Sequence, residues 1–315
     1  MPRRDRSLIP RTRLWVVFAA SVVGCGDAAT PAPAPAAVET RTGDDKTAPI
    51  EAFVASPTVP GLLVVLSASH EAARRALGPH VLRYELRHTV TPREIPELPA
   101  VDEGTPRVLD VQDLLELRWA SAPGEPPRFH LKQGPPGVDN AQVEHELIVL
   151  DEQAYTRLPH RGWLTRPLDG SIHEQWLDDA QRSVHDLVEF AAPALALAVV
   201  EDGDAVVITL SKADASGPAS TRHVGQAWRE HVQFDRVAGT IALDRATGRW
   251  REATVELTYH LEDDAGRPVD GALTFAGTLT PAEGLTIEAP PAEPLPERLR
   301  LEEERKRLLD GLAAF

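Results

Sequence analysis

The chain is 315 residues long, with 33 basic and 48 acidic side chains and a formal net charge of −15. That balance excludes nucleic acid as a partner, because neutralising phosphates takes an excess of Lys and Arg. A single cysteine, Cys25, excludes an intrachain disulfide and a cysteine-based metal cage.

The chain opens on Arg3, Arg4, Arg6, Arg11 and Arg13 against one acid, Asp5. An apolar run, residues 14–23, follows and ends in Val22-Val23-Gly24-Cys25. A basic front, a short apolar run and a small-residue exit form the layout of a secretory signal. The run is too short to span a bilayer, which takes about 20 residues. Val22-Val23-Gly24-Cys25 resembles the lipobox of bacterial lipoproteins. The resemblance implies a diacylglyceryl thioether on Cys25, cleavage after Gly24 and acylation of the new amino terminus. Each buried CH₂ contributes ~0.8 kcal/mol, so several acyl chains anchor firmly. The chain after the signal keeps 28 basic and 47 acidic residues, net −19. Charge therefore does not draw it to an anionic membrane face, and the lipid is the expected anchor.

Residues 25–49 are expected to be an extended Pro/Ala linker, with PAPAPAA at 31–37. Residues 50–290 form the expected domain and 291–315 a charged C-terminal helix. Residues 67–78 predict a short helix, with Ser at its start and Gly78 at its end. The apolar residues 62–66 before it fit either a helical turn or a short strand. Residues 81–91 alternate: Leu82, Tyr84, Leu86, His88 and Val90 share one face, and Arg83, Glu85, Arg87 and Thr89 the other. Four prolines make 92–106 a loop. Residues 108–121, 128–133, 143–150 and 154–158 predict an antiparallel meander with short turns.

Residues 172–200 predict the one long helix. Ile172, Trp176, Ala180, Val184, Leu187, Ala191 and Ala194 lie on one side of it. Pro193 predicts a kink or a break into two helices. The apolar tail, 191–200, is either buried on every side or lines a cavity. Strands are then expected at 205–210, 231–235, 238–243, 249–261 and 272–279, with a further short one at 285–288. Asp244 and Gly248 bound a hairpin loop, Gly supplying the left-handed turn position. Residues 297–313 predict a solvated helix with Glu302/Lys306 and Glu303/Arg307 pairs.

This order predicts an α+β fold: a curved antiparallel sheet, an open half-barrel, with helices packed on its concave face. The segment Gly239-Thr240-Ile241-Ala242-Leu243-Asp244-Arg245-Ala246-Thr247-Gly248, continued by Ala253-Thr254-Val255-Glu256-Leu257, resembles a hairpin of the LolA/LolB-like superfamily, which includes the LppX/LprG-type lipoproteins. The element order over residues 53–290 agrees with it. The Pro-rich 92–106 and the charged C-terminal helix depart from it. The resemblance implies a concave cleft that holds acyl chains. Candidates to line it are Leu86, Leu117, Trp119, Trp163, Trp176, Leu187, Phe190, Leu257 and Tyr259. The same period also fits a closed core in which these residues simply meet.

No catalytic motif is present. His70-Glu71, His145-Glu146 and His173-Glu174 each start as a zincin would, but Arg74, Val149 and Leu177 stand where its second His is required. There is no G-x-S-x-G elbow, phosphate-binding loop or EF-hand pattern. His88 and His145 fall on apolar faces, as core or cleft-rim histidines. No metal or cofactor is expected, and no enzyme. The expectation is an envelope lipoprotein, attached to a membrane through Cys25, that binds a lipid or other apolar ligand. A non-catalytic interaction module with a closed core is the alternative.

Overall fold

The computed structural model describes residues 48–93, 108–135, 145–157, 162–168, 172–214, 229, 231–262 and 267–296. The expected signal peptide, nearly all of the linker, most of the Pro-rich loop and the charged C-terminal helix lie outside the described residues.

Three short helices come first: α1 (Ala48–Ala55), α2 (Val59–Leu66) and α3 (His70–Leu77). Thr58 caps α2, its hydroxyl accepting from the Gly61 amide at 3.1 Å. Ser69 caps α3 through the Ala72 amide at 3.3 Å, and Gly78 ends it. The ambiguous residues 62–66 are thus helical.

Six strands follow: β1 (His80–Pro92), β2 (Leu109–Trp119), β3 (Phe129–Gly134), β4 (His145–Leu150), β5 (Gln153–Arg157) and β6 (Trp163–Pro167). The long helix α4 (Ile172–Ala191) comes next. Then come β7 (Leu195–Asp202), β8 (Ala205–Lys212), β9 (Gln233–Asp244), β10 (Trp250–Glu262), β11 (Pro268–Pro281) and β12 (Ala292–Pro294). They form one sheet of 12 strands, in the order β12-β6-β5-β4-β3-β2-β1-β11-β10-β9-β8-β7. Two meanders run outward from the central β1–β11 pair, and the sheet stays open. The β12–β6 pairing is parallel and the others are antiparallel. The class is α+β, as expected.

Alternation decides which face is buried. Leu147, Leu131, Leu117, Leu82 and Leu279 stand in register across five strands. All are 5 % exposed or less. Leu177, Ala180, Val184, Leu187 and Val188 of α4 join the same core. Each such leucine contributes about 1.5–3 kcal/mol by leaving water. The opposite face carries cross-strand ion pairs, Arg83–Glu116 at 2.8 Å, Arg87–Asp110 at 2.8 Å and Arg236–Glu256 at 2.8 Å. These exposed pairs add little stability and chiefly favour the observed register.

Four expectations need correction. The helix expected over 172–200 ends at Ala191, because Pro193 has no amide to continue it. A single 3₁₀ turn, Ala192–Ala194, leads into β7. Residues 195–200 are therefore an edge strand, neither buried all round nor a cavity wall: Val200 is 61 % exposed. Residues 231–235 and 238–243 are not two strands: 233–244 form one, β9, with a register shift near Phe234 where it passes Tyr259. Residues 285–288 form no strand; the chain runs past them to β12. Finally, β6 was not anticipated, since Trp163-Leu164-Thr165-Arg166-Pro167 is short and ends in proline.

The β9–β10 hairpin matches its reading. The Asp244 carboxylate accepts from the Thr247 amide at 2.7 Å and from the Thr247 hydroxyl at 2.8 Å. Gly248 closes the turn at φ 67°. Ile50 of α1 and Val65 of α2 lie against Gly248, so the short helices dock on this turn.

Candidate functional site

The candidate site is the interface between α4 and the inner face of the sheet. Eight of the nine predicted lining residues face it. Leu117, Trp119, Leu187, Phe190, Leu257 and Tyr259 are 5 % exposed or less. They meet one another and their neighbours directly. Trp119 stacks on Phe129 at 5.6 Å. Phe190 packs edge-on against Phe234 at 5.1 Å and Tyr259 at 5.5 Å. Trp163 is the exception. Its register partners run through Arg157, Glu146, Lys132 and Glu116 to Arg83, which places it on the charged outer face. A strand-parity count from β5 could not predict this, because β6 was not recognised as a strand.

The remaining two, Leu86 and Trp176, are half-buried and mark where the interface opens. Here the inner face turns polar. Tyr84, Leu115, Gln133 and His145 stand in one row across β1 to β4. The Gln133 amide donates to the Asp113 carboxylate at 2.6 Å. The His145 ring meets the edge of Trp176 at 5.3 Å, and Tyr84 leans on Phe275 at 5.3 Å. Asp113, Gln133, His145, Tyr84, Leu86 and Trp176 are all half-buried. Sequence reasoning missed Asp113 and Gln133. The signal was present: each is a polar residue at an inward position of a strand whose other inward positions are apolar.

Charge is concentrated at this rim. Burial pushes the Tyr84 phenol up, and Asp113 on the sheet with Asp179 and Asp186 on α4 adds to it. The Asp179 carboxyl is pushed up to about 6, first by desolvation and then by Asp186 and Asp178. The residue as a whole is exposed, so the crowding is local to its carboxyl. Further along α4, His185, Asp186 and Glu189 bring ligand-type atoms within 4.8 Å of one another. The guanidinium of Arg229, 5 % exposed, acts on Glu189 and Asp186 and sits over the Phe190 ring at 5.4 Å. The chain thus supplies its own cation to that cluster.

A wider concavity, about 540 Å³, lies on the opposite face of the sheet. Arg83, Glu85, Glu116, Lys132 and Glu252 line it together with Leu114, Ala276 and Gly277. Among the described residues one hydroxyl meets an imidazole, Tyr259 on His88 at 2.7 Å, and no carboxylate backs that ring. No helix among the described residues is long and apolar enough to cross a membrane.

No protein-family model and no curated protein matches the chain. Among solved structures it is similar to LprF from Mycobacterium bovis, at 13 % identity and a TM-score of 0.27. That match covers 74 % of this chain and 98 % of the other. At that level of superposition neither function nor ligand transfers.

Proposed function

We propose that this chain is an envelope lipoprotein that takes up an apolar ligand, an acyl chain or a lipid, between α4 and the inner face of its sheet. Acyl chains on Cys25 hold it to a membrane. The observation that carries the reading is the gradient along the interface. Its interior is mainly apolar and aromatic, with His80, His88 and Gln181 buried among those side chains, and its polar rim leaves Leu86 and Trp176 half-exposed. Binding sites for apolar ligands share this build, an apolar body with a few polar groups at the mouth. Uptake requires side chains that now fill the interior to part, with α4 moving off β1–β4.

Native mass spectrometry of the protein taken from its own membranes is the test. The expected spectrum carries one lipid-sized adduct, and Leu86→Trp at the mouth reduces it. Apo mass alone, together with no uptake of a fluorescent fatty acid, overturns the reading.

A second reading has its own observation. Six predicted lining residues are already packed against protein, as in a closed core. An interaction module without a ligand needs nothing more, and it accounts for an apo result.

A further inference from the structure

A small cavity of about 10 Å³ lies where the end of α2, the middle of α4 and the start of β10 meet. Its walls include Val65, Leu66, Gln181, Gly248, Arg249 and Trp250. The volume is that of about one water-sized sphere. Its wall is mostly apolar, and what sets it apart is that two nitrogen donors of the residues lining it have no acceptor.

Trp250 is 4 % exposed, yet its indole N–H meets no acceptor. The Nε–H of Arg249 is equally shut off from solvent and also meets none. Both residues line the cavity, and neither of these N–H groups has an acceptor. The Gln181 amide, the other polar side chain in the wall, faces the His80 ring at 3.3 Å.

Charge makes the need sharper. Three arginines sit on this hairpin. Arg245 pairs with Glu51 and Glu201, and Arg251 with Asp204 and Asp244. Arg249, half-buried between them, pairs with no carboxylate among the described residues. Its backbone is occupied within the turn, the amide donating to Thr247 Oγ1 at 3.3 Å and the carbonyl accepting from Asp244 at 2.6 Å. A half-buried cation without a counter-charge carries part of the desolvation cost, and a buried donor without an acceptor is costly. The last carbonyls of α2 bring at most about half a negative charge and bond neither donor. Water would satisfy the N–H groups but not the charge.

We propose that this cavity is a site for a single monatomic anion, chloride, held between the Arg249 Nε–H and the Trp250 Nε1–H. An anion there joins α2, α4 and β10 at one point. Its effect is to hold the short helices on the β9–β10 hairpin.

The test uses the full chain in detergent. Thermal unfolding is followed in sodium chloride, in sodium bromide and in sodium gluconate at matched ionic strength, gluconate being too large for the cavity. The expected midpoint rises by a few degrees in either halide over gluconate and saturates as for one site binding only the folded state. Trp250→Phe keeps the ring and removes the donor; it should weaken halide binding at least tenfold. Arg249→Met should abolish the increment, and Arg249→Lys should keep part of it. Broadening of the ³⁵Cl resonance should follow the same order. If Arg249→Met does not fold, Trp250→Phe alone decides. Equal midpoints in all three salts, or a halide increment unchanged in Trp250→Phe, overturn the proposal and leave a buried water or an empty gap.

Discussion

The Tyr259 hydroxyl and His88 Nε2 lie 2.7 Å apart although a whole strand separates theirs. Tyr259 is on β10, His88 on β1, and β11 runs between. The ring reaches across because Gly271 of β11 has no side chain: a Cβ there would sit 2.1 Å from the ring. Burial pushes the phenol up to about 12 and lowers the His88 pKa, so a neutral phenol and a neutral imidazole share the hydrogen bond.

Gly271→Ala is therefore expected to destabilise the fold by about 1–3 kcal/mol, the usual effect of overpacking. Urea unfolding measures it. The His88 imidazole resonances should shift in the same variant; unmoved resonances and unchanged stability would exclude the contact.

His88 and His80 both carry pKa values lowered by burial, His80 despite an opposing bond to the Gly78 carbonyl. Their contribution to stability is full above the ordinary value of 6.5 and is lost as pH falls through the lower folded values. The unfolding midpoint should drop on acidification below pH 6.5. His88→Gln should show a shallower drop, seen by circular dichroism across pH 5–8.

Asp179 has the opposite sign. Its folded value of about 6 exceeds its ordinary one, 3.8. The stability it contributes is complete below pH 3.8 and is lost as pH rises through 6. Asp179→Asn is thus expected to raise the midpoint at pH 7.5 and to leave it unchanged near pH 3.5. Because the residue is exposed, the gain should be modest. A variant less stable at pH 7.5 would show that Asp179 is held by a favourable partner.

Glu146 is 3 % exposed on the outer face. Burial alone would raise its pKa. His130 Nε2 at 2.8 Å, Arg157 at 3.3 Å and the charge of Lys132 outweigh that and hold it below the ordinary value. Glu146→Ala leaves these groups without their shared acceptor and should lose about 1–3 kcal/mol. The effect should fade as pH falls through the lowered carboxyl value, where wild-type Glu146 itself protonates.

Asp244 makes the β9–β10 turn through two bonds to Thr247. Asp244→Ala should lose about 1–2 kcal/mol, as for other side-chain caps of backbone amides. Asp244→Asn, which keeps an acceptor, should recover part of it. Equal losses in both would assign the effect to the Arg251 ion pair instead.

Most of the strands were legible because burial on one face imposes a period of two. Arg249 to Leu261 showed it plainly, and β10 occupies those residues nearly end to end. Residues 195–200 were not. Leu195, Leu197 and Val199 do alternate with Ala196, Ala198 and Val200, but small apolar residues on both sides hide the alternation. A short apolar run carries no period that separates strand from helix, and a free sheet edge beside β8 decided it.

The candidate site divides in the same way. Local sequence determined which side chains face inward, Leu86, Leu117, Leu257 and Tyr259 among them, because parity along a strand is a local property. The resemblance of Val22-Val23-Gly24-Cys25 to a lipobox is equally local. Only the tertiary structure decided what those side chains meet. It packed Trp119 on Phe129, turned Trp163 to the outer face and set Tyr84 near Asp179 and Asp186 of α4 and near Asp113, which Gln133 bonds. It also brought Val65 and Leu66 of α2 and Gln181 of α4 to Arg249 and Trp250. Whether facing side chains fill a space or leave one depends on volumes summed over several elements, and no period along a single strand encodes that sum.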